Sequence, residues 1–180
     1  MEYRLADLLK DSEKSKLYDG GVFITIYLAP YNYHRIHSMV SGEVREFSYI
    51  PGDLWTVSPL GVHHVPGLFA RNERLITYFE TDKGECALVK IGATVVGRIR
   101  VVYHEITSNL PGAAFQKNKL APPISVERGD EVGLFELGST VICLFPPGQI
   151  ELNKLKLGQE ILLGQAIGKF SKINQDEFNT

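Results

Sequence analysis

Two short phrases hold the side chains best suited to chemistry. One is Phe135-Glu136-Leu137-Gly138-Ser139-Thr140, which runs into the apolar stretch Val141-Ile142-Cys143-Leu144-Phe145; the other, about a hundred residues upstream, is Tyr33-His34-Arg35-Ile36-His37. The Ser139 hydroxyl stands next to the Gly138 carbonyl carbon, and attack there exchanges a backbone amide for an ester and opens the chain. A hydroxyl is a poor nucleophile until a base takes its proton, so a histidine must be brought beside it. Gly138 leaves the attacked carbonyl without steric cover, and the strand that follows anchors the serine rigidly. Alone, Gly-Ser-Thr is an ordinary turn into a strand; with a histidine pair elsewhere in the chain it becomes a candidate self-cleavage site. In an extended segment, positions i and i+3 face different sides, so His34 and His37 are expected to have separate jobs and not to share a metal. His63 and His64 adjoin a turn before Val65-Pro66 and read as structural or solvated; with His104 apart from them, no metal site is expected.

The elements that must position these residues read as mainly β. A helix is expected over 3–17, where Leu5, Leu8 and Leu9 recur at helical spacing and lysines gather toward the end. After Asp19-Gly20-Gly21 the pattern turns to strands. A β-rich run covers 22–28, and another covers 44–50 up to the Pro51-Gly52-Asp53 turn; a hairpin joins 75–79 to 86–91 through Thr81-Asp82-Lys83-Gly84. A further strand is expected over 94–103, bent at Gly97. The stretch 110–123, with three prolines and little periodicity, reads as a mobile surface loop. Gly129-Asp130-Glu131-Val132-Gly133-Leu134-Phe135 returns 35 residues later as Gly164-Gln165-Ala166-Ile167-Gly168-Lys169-Phe170. The matching glycines ask for the same tight turns entering a strand. Short strands with such turns resemble the flattened barrels of biotinyl and lipoyl carrier domains, in fold only, because the lysine those carriers modify has no clear counterpart here. The expectation is one domain over 1–180, a compact β-barrel or sandwich of the barrel-sandwich-hybrid kind with one N-terminal helix.

Bulk properties narrow the partners. A chain of 180 residues, 44% hydrophobic and 22% charged, suits one domain that buries roughly 70% of its unfolded surface. Nineteen basic against twenty-one acidic residues give a net charge of -2 with no basic stripe, which argues against nucleic acid and for a weak pull toward acidic lipid. No apolar run approaches the roughly 18 residues of a membrane-spanning helix, and the N-terminus lacks a secretory pattern. Cys86 and Cys143 lie in strand-like apolar contexts without metal-ligand spacing and read as buried, reduced thiols.

Beyond the two phrases, the chain carries Ala29-Pro30-Tyr31-Asn32-Tyr33-His34-Arg35-Ile36-His37, Tyr49-Ile50-Pro51-Gly52-Asp53-Leu54, Val65-Pro66-Gly67-Leu68-Phe69-Ala70-Arg71-Asn72-Glu73-Arg74, Val89-Lys90-Ile91-Gly92-Ala93-Thr94-Val95-Val96-Gly97 and Leu137-Gly138-Ser139-Thr140. In these five blocks, in this order and across nearly its whole length, it resembles the phosphatidylserine decarboxylases.

The resemblance implies a division of labour. Ser139 matches the serine at which the family's proenzyme cuts itself, with Gly138 supplying the carbonyl; elimination and hydrolysis then leave a pyruvoyl group on the new chain end at 139, with fragments 1–138 and 139–180. His37 matches the base of that step and His34 the residue linked to decarboxylation. The pyruvoyl group is the implied cofactor: the substrate amine condenses with it as a Schiff base, and its carbonyl takes the electrons released as carbon dioxide leaves, the role otherwise given to pyridoxal phosphate. The implied substrate is phosphatidylserine, the product phosphatidylethanolamine, and the implied setting a peripheral one on the inner membrane surface, at the cytoplasmic face, with a homodimer as a family expectation. Family members also place an aspartate well upstream of the histidine pair. Only 33 residues precede His34 in this sequence, and none is assigned that role. Loss of such an orienting carboxylate costs roughly 10⁴-fold in a serine protease, so slow maturation is expected unless another group orients His37. Two other readings stay open: an uncleaved, inactive lipid-binding homologue, and a pyruvoyl decarboxylase of a different amino-acid-type substrate.

Overall fold

The computed structural model describes residues 2–94, 98–136 and 138–171. The helices among them are short: α1 (Leu5–Leu9), α2 (Ser12–Leu17), α3 (Pro59–His64) and α4 (Leu68–Arg71). The strands are β1 (Val22–Tyr27), β2 (Arg35–His37), β3 (Gly42–Ile50), β4 (Arg74–Thr81), β5 (Gly84–Ile91), β6 (Ile99–Val101), β7 (His104–Thr107), β8 (Gln116–Val126), β9 (Glu131–Phe135), β10 (Thr140–Phe145), β11 (Ile150–Leu152) and β12 (Gly168–Phe170). The protein is mainly β, as the sequence pattern requires, with sheets that are not closed into a barrel.

A six-stranded sheet runs in the order β1-β10-β5-β4-β3-β8, a four-stranded sheet in the order β2-β9-β6-β7, and β11 pairs with β12. Every residue of β10 is buried, and β4 and β5 are buried along nearly their whole length. Neighbouring strand residues point to opposite faces, so these central strands are covered on both sides, which is why their sequences read as continuous apolar runs. One hydrophobic cluster joins them to Ile36, Ile99, Val132 and Phe135 of the smaller sheet and to Leu8, Leu9, Leu68 and Phe69 of α1 and α4. The expected hairpin is present, with β4 and β5 in register from Arg74 opposite Ile91 to Thr81 opposite Gly84.

Three expectations need correction. The N-terminal helix is two helices: Lys10 takes a left-handed conformation, and the Asp11 side chain accepts from Lys14 N at 2.9 Å to start α2. An aspartate that caps a new helix competes with continuation of the old one. The stretch 110–123 is not a loop throughout, because Gln116–Val126 forms β8 on the edge of the large sheet. Its prolines fall where the β3–β8 register shifts, between Glu46 opposite Lys119 and Val44 opposite Ile124, and one bond, Ala121-Pro122, is cis. Edge strands and bulges are where a sheet tolerates residues without an N–H. Among the described residues of the strand expected over 94–103, Ile99–Val101 forms one; 95–97, with the expected bend at Gly97, lie outside the described residues. The repeat does mark equivalent turns: Gly129 (φ +96°) leads into β9 and Gly164 (φ +82°) precedes β12.

The chain's N-terminal part is pinned to the sheet by polar contacts. The buried Arg74 guanidinium donates to the carbonyls of Leu8 at 2.6 Å, Asp7 at 2.7 Å and Asn72 at 2.7 Å. Lys14 pairs with Glu85 at 2.6 Å, and Lys117 pairs with Asp11 at 2.8 Å.

Candidate active site

Ser139 immediately precedes β10, between the ends of two flanking strands. It is 0% exposed. Its hydroxyl donates to the carbonyl of Ile91 at the end of β5, and its own carbonyl accepts from Leu28 N at 2.6 Å, just past β1. Gly138 lies against the same segment past β1. A Cβ there would stand 2.6 Å from Leu28 O and 3.0 Å from Ala29 C and Pro30 N. The glycine thus has a reason beyond leaving its carbonyl open to attack, since the 28–30 backbone passes where a side chain would be.

The histidine phrase continues from that same backbone. Asn32 turns the chain by accepting from Ala29 N at 2.8 Å through its side chain, while Asn32 N donates to Ala29 O at 2.9 Å. β2 then pairs with β9, Ile36 opposite Gly133, and Phe135 N donates to His34 O at 3.0 Å. His34 is thereby held beside the segment that leads into Gly138. Its Nε2 is buried and, among the described residues, has no hydrogen-bond partner. His37 is placed differently: Nδ1 lies 2.6 Å from Gly129 O, Nε2 lies 2.9 Å from the Tyr33 hydroxyl, and the Tyr33 and His37 rings stack with centroids 5.6 Å apart. The two rings do have separate surroundings.

Among the described residues no hydrogen bond links either histidine to Ser139. What the fold brings together is Ser139 with Ile91 and Leu28, and His37 with Tyr33 and Gly129. His63 and His64 are exposed on α3, and among the described residues no group of three potential ligands stands ready for a metal ion. Cys86 and Cys143 are free and buried; burial pushes the Cys143 thiol up to about 12 and Cys86 upward as well.

Some participants were hidden from sequence reasoning. The Ile91 and Gly129 carbonyls are backbone atoms with no residue-type signal, although the turn glycine of the repeat marks where one of them is built. Glu73 is another. It is buried and accepts from the Tyr49 hydroxyl and from Asn109 N at 2.7 Å, and its Oε2, close to Gly92, the residue after Ile91, has no hydrogen-bond partner among the described residues. Desolvation and this carboxylate together raise the Tyr49 phenol above its usual range. A cavity of about 330 Å³ lined by Arg45, Glu46, Glu80, Glu85 and Lys119 lies at the hairpin end of the large sheet. That is the end opposite to Ile91 and Arg74, and so away from Ser139.

Comparison with known proteins is consistent along the chain. A family model described as Phosphatidylserine decarboxylase matches residues 1–169. A phosphatidylserine decarboxylase proenzyme of Anaeromyxobacter sp. (strain K) is 47% identical over 171 residues, covering 93% of this chain and 61% of its own length. One of Myxococcus xanthus (strain DK1622) is 44% identical over 171 residues, with 93% and 60% covered. One of Alcanivorax borkumensis is 39% identical over 177 residues, with 97% and 61% covered. The chain spans about three fifths of the length of the curated relatives it matches.

Proposed function

Because the chain belongs to the phosphatidylserine decarboxylase family, we propose that it cuts its own backbone between Gly138 and Ser139, converts Ser139 into a pyruvoyl group, and removes carbon dioxide from phosphatidylserine to leave phosphatidylethanolamine. The observation that carries this reading is the setting of the bond to be cut. Ser139 is sealed from water between two strand ends, and Gly138 lies against the backbone past β1. Burial keeps water from the Ser139 hydroxyl, while Gly138 beside it is half-buried.

The chain's own groups divide the work. Ser139 Oγ bonds to the Gly138 carbonyl carbon while its proton passes to His37, and the amide C–N bond breaks to give an ester and a free amine at 139. Elimination releases the Gly138 carboxylate, and water then replaces the nitrogen, which leaves as ammonia. A pyruvoyl carbonyl at this position supplies the electron sink for decarboxylation of an amine-bearing substrate. His34, whose buried Nε2 has no partner among the described residues, is the group suited to hold or return a proton there, since an orphaned polar atom in such a place gains most from a partner. Fragments 1–138 and 139–180 act as one enzyme, peripherally bound at the cytoplasmic face of the inner membrane and assembled as a homodimer. Among the described residues no helix is long and apolar enough to cross a bilayer, which is compatible with peripheral attachment.

Intact mass tests the reading. Purified, incubated protein should give two species that separate at 138/139, the smaller trapped by a hydrazine at its N-terminus. Persistence of one 20.1 kDa species inert to hydrazine would sink it. Release of carbon dioxide from carboxyl-labelled phosphatidylserine but not from free serine distinguishes the phospholipid substrate from other amino acids.

A further inference from the structure

The nucleophile and the base that self-cleavage must bring together both have other partners. The Ser139 hydroxyl is on the Ile91 carbonyl, and both ring nitrogens of His37 are engaged. A carbonyl oxygen only accepts, so the 2.6 Å contact with Gly129 O requires the proton on Nδ1. In the neutral ring the lone pair is then on Nε2, and the Tyr33 phenol donates into it at 2.9 Å. The two rings lie 18° from parallel, so packing holds the contact as well as the hydrogen bond does. Gly129 is itself fixed: its N–H donates to Ser38 O at 2.9 Å, and Ser38 N donates to Asp130 O at 2.7 Å. Its φ of +96° favours glycine, so the turn that opens β9 builds the acceptor for His37.

We propose that Tyr33 is a positioning residue for His37. Gly129 O selects the tautomer able to act as a base, and Tyr33 holds the ring by occupying the Nε2 lone pair, so the ring takes a proton from Ser139 only after the Tyr33 hydroxyl has let go. The contact stands on the geometry alone; its kinetic consequence rests on the self-cleavage reading above. Once released, Nε2 accepts the Oγ proton as Oγ bonds to the Gly138 carbonyl carbon, with Nδ1–H still on Gly129 O. The same proton then passes from Nε2 to the departing nitrogen as the C–N bond breaks, and the ring returns to neutral.

Tyr33→Phe keeps the stacked ring and removes only the hydroxyl from a half-exposed side chain. In a Ser139→Ala background, which holds the chain uncut, ¹⁵N NMR should show Nδ1 of His37 still protonated and the Nε2 resonance displaced by the loss of its donor. In the chain that keeps Ser139, Tyr33→Phe should cut about fivefold faster, the factor that one ordinary hydrogen bond corresponds to. Tyr33→Leu, which also loses the stack, should cut faster than wild type too; a packing role alone would make Leu differ from wild type and leave Phe unchanged. An unmoved Nε2 resonance, or cutting by Tyr33→Phe that is equal to or slower than wild type, overturns the proposal. If neither chain cuts although the resonance moves, the self-cleavage reading is what fails, and Tyr33 loses any kinetic role with it.

Discussion

Lys90 on β5 donates its Nζ proton to the hydroxyl of Thr77 on β4, at a point where Lys90 is 0% exposed. Thr77 in turn lies 2.5 Å from the Tyr103 hydroxyl, so one short polar chain crosses an otherwise apolar layer. Burial holds the Lys90 ammonium down from its ordinary 10.5 to about 7. The unfolded chain keeps that proton up to about pH 10.5, whereas the folded chain releases it near 7. Between those values the unfolded state binds more protons, so this group makes stability rise with pH, and the gain is lost as pH falls through about 7. Above pH 9 the buried thiols work the other way, because Cys143, pushed up to about 12, keeps a proton that the unfolded chain loses. Urea unfolding should therefore show stability climbing between pH 7 and 9, by at most about 1.4 kcal/mol per pH unit for one proton. Lys90→Met should be flatter over that window and more stable at pH 7. An equal slope in the variant would remove Lys90 as the cause.

Gly138→Ala sets a methyl group against the 28–30 backbone. Overpacking of this kind costs about 1–3 kcal/mol, and because the collision is with main chain, relief requires moving the segment that leads to His34. We expect a lower midpoint in thermal unfolding together with slower cutting at 138/139. A variant that melts and cuts like wild type would mean that this approach is not rigid.

His37 and His34 should separate by reaction. General-base assistance is worth about 10²–10⁴-fold, so His37→Ala should slow the appearance of fragments by that factor when followed by intact mass. His34→Ala should still yield both fragments but release no carbon dioxide from phosphatidylserine. Matching effects of the two variants on both readouts would contradict the assignment.

Arg74→Met removes three donors from the carbonyls of Asp7, Leu8 and Asn72 at once. Burial lowers the Arg74 guanidinium to about 10, still charged at neutral pH, so charged hydrogen bonds are what is lost. A cost of about 2–4 kcal/mol is expected, and trypsin should reach Lys10 and Lys16 sooner. Unchanged proteolysis would show that α1 is held by its leucines alone.

The central strands were legible because burial on both faces writes itself as unbroken runs of Val, Ile, Leu and Phe, as at 141–145. The hairpin through Thr81 and Gly84 was legible from its turn. What escaped depended on partners distant in sequence. β8 carries two adjacent prolines that deny a strand locally, and only its edge position beside β3 permits one. Lys10 breaks the first helix through a backbone conformation that its residue type does not announce. At the site, Ser139, His34 and His37 stood out by residue type, and their roles are what the variants above test. Ile91 and Gly129 contribute carbonyl oxygens, which every residue has, so only their three-dimensional placement distinguishes them.

β10 is laddered along six residues to β1 and along five to β5, and it begins one residue after Ser139. A nick at 138/139 therefore leaves the shorter polypeptide zipped into the middle of a sheet, with its fresh end tucked inside. Neither piece can drift off without unfolding the other. The mature molecule would travel as a single body through any non-denaturing column, and only a denaturant would reveal that it is two chains.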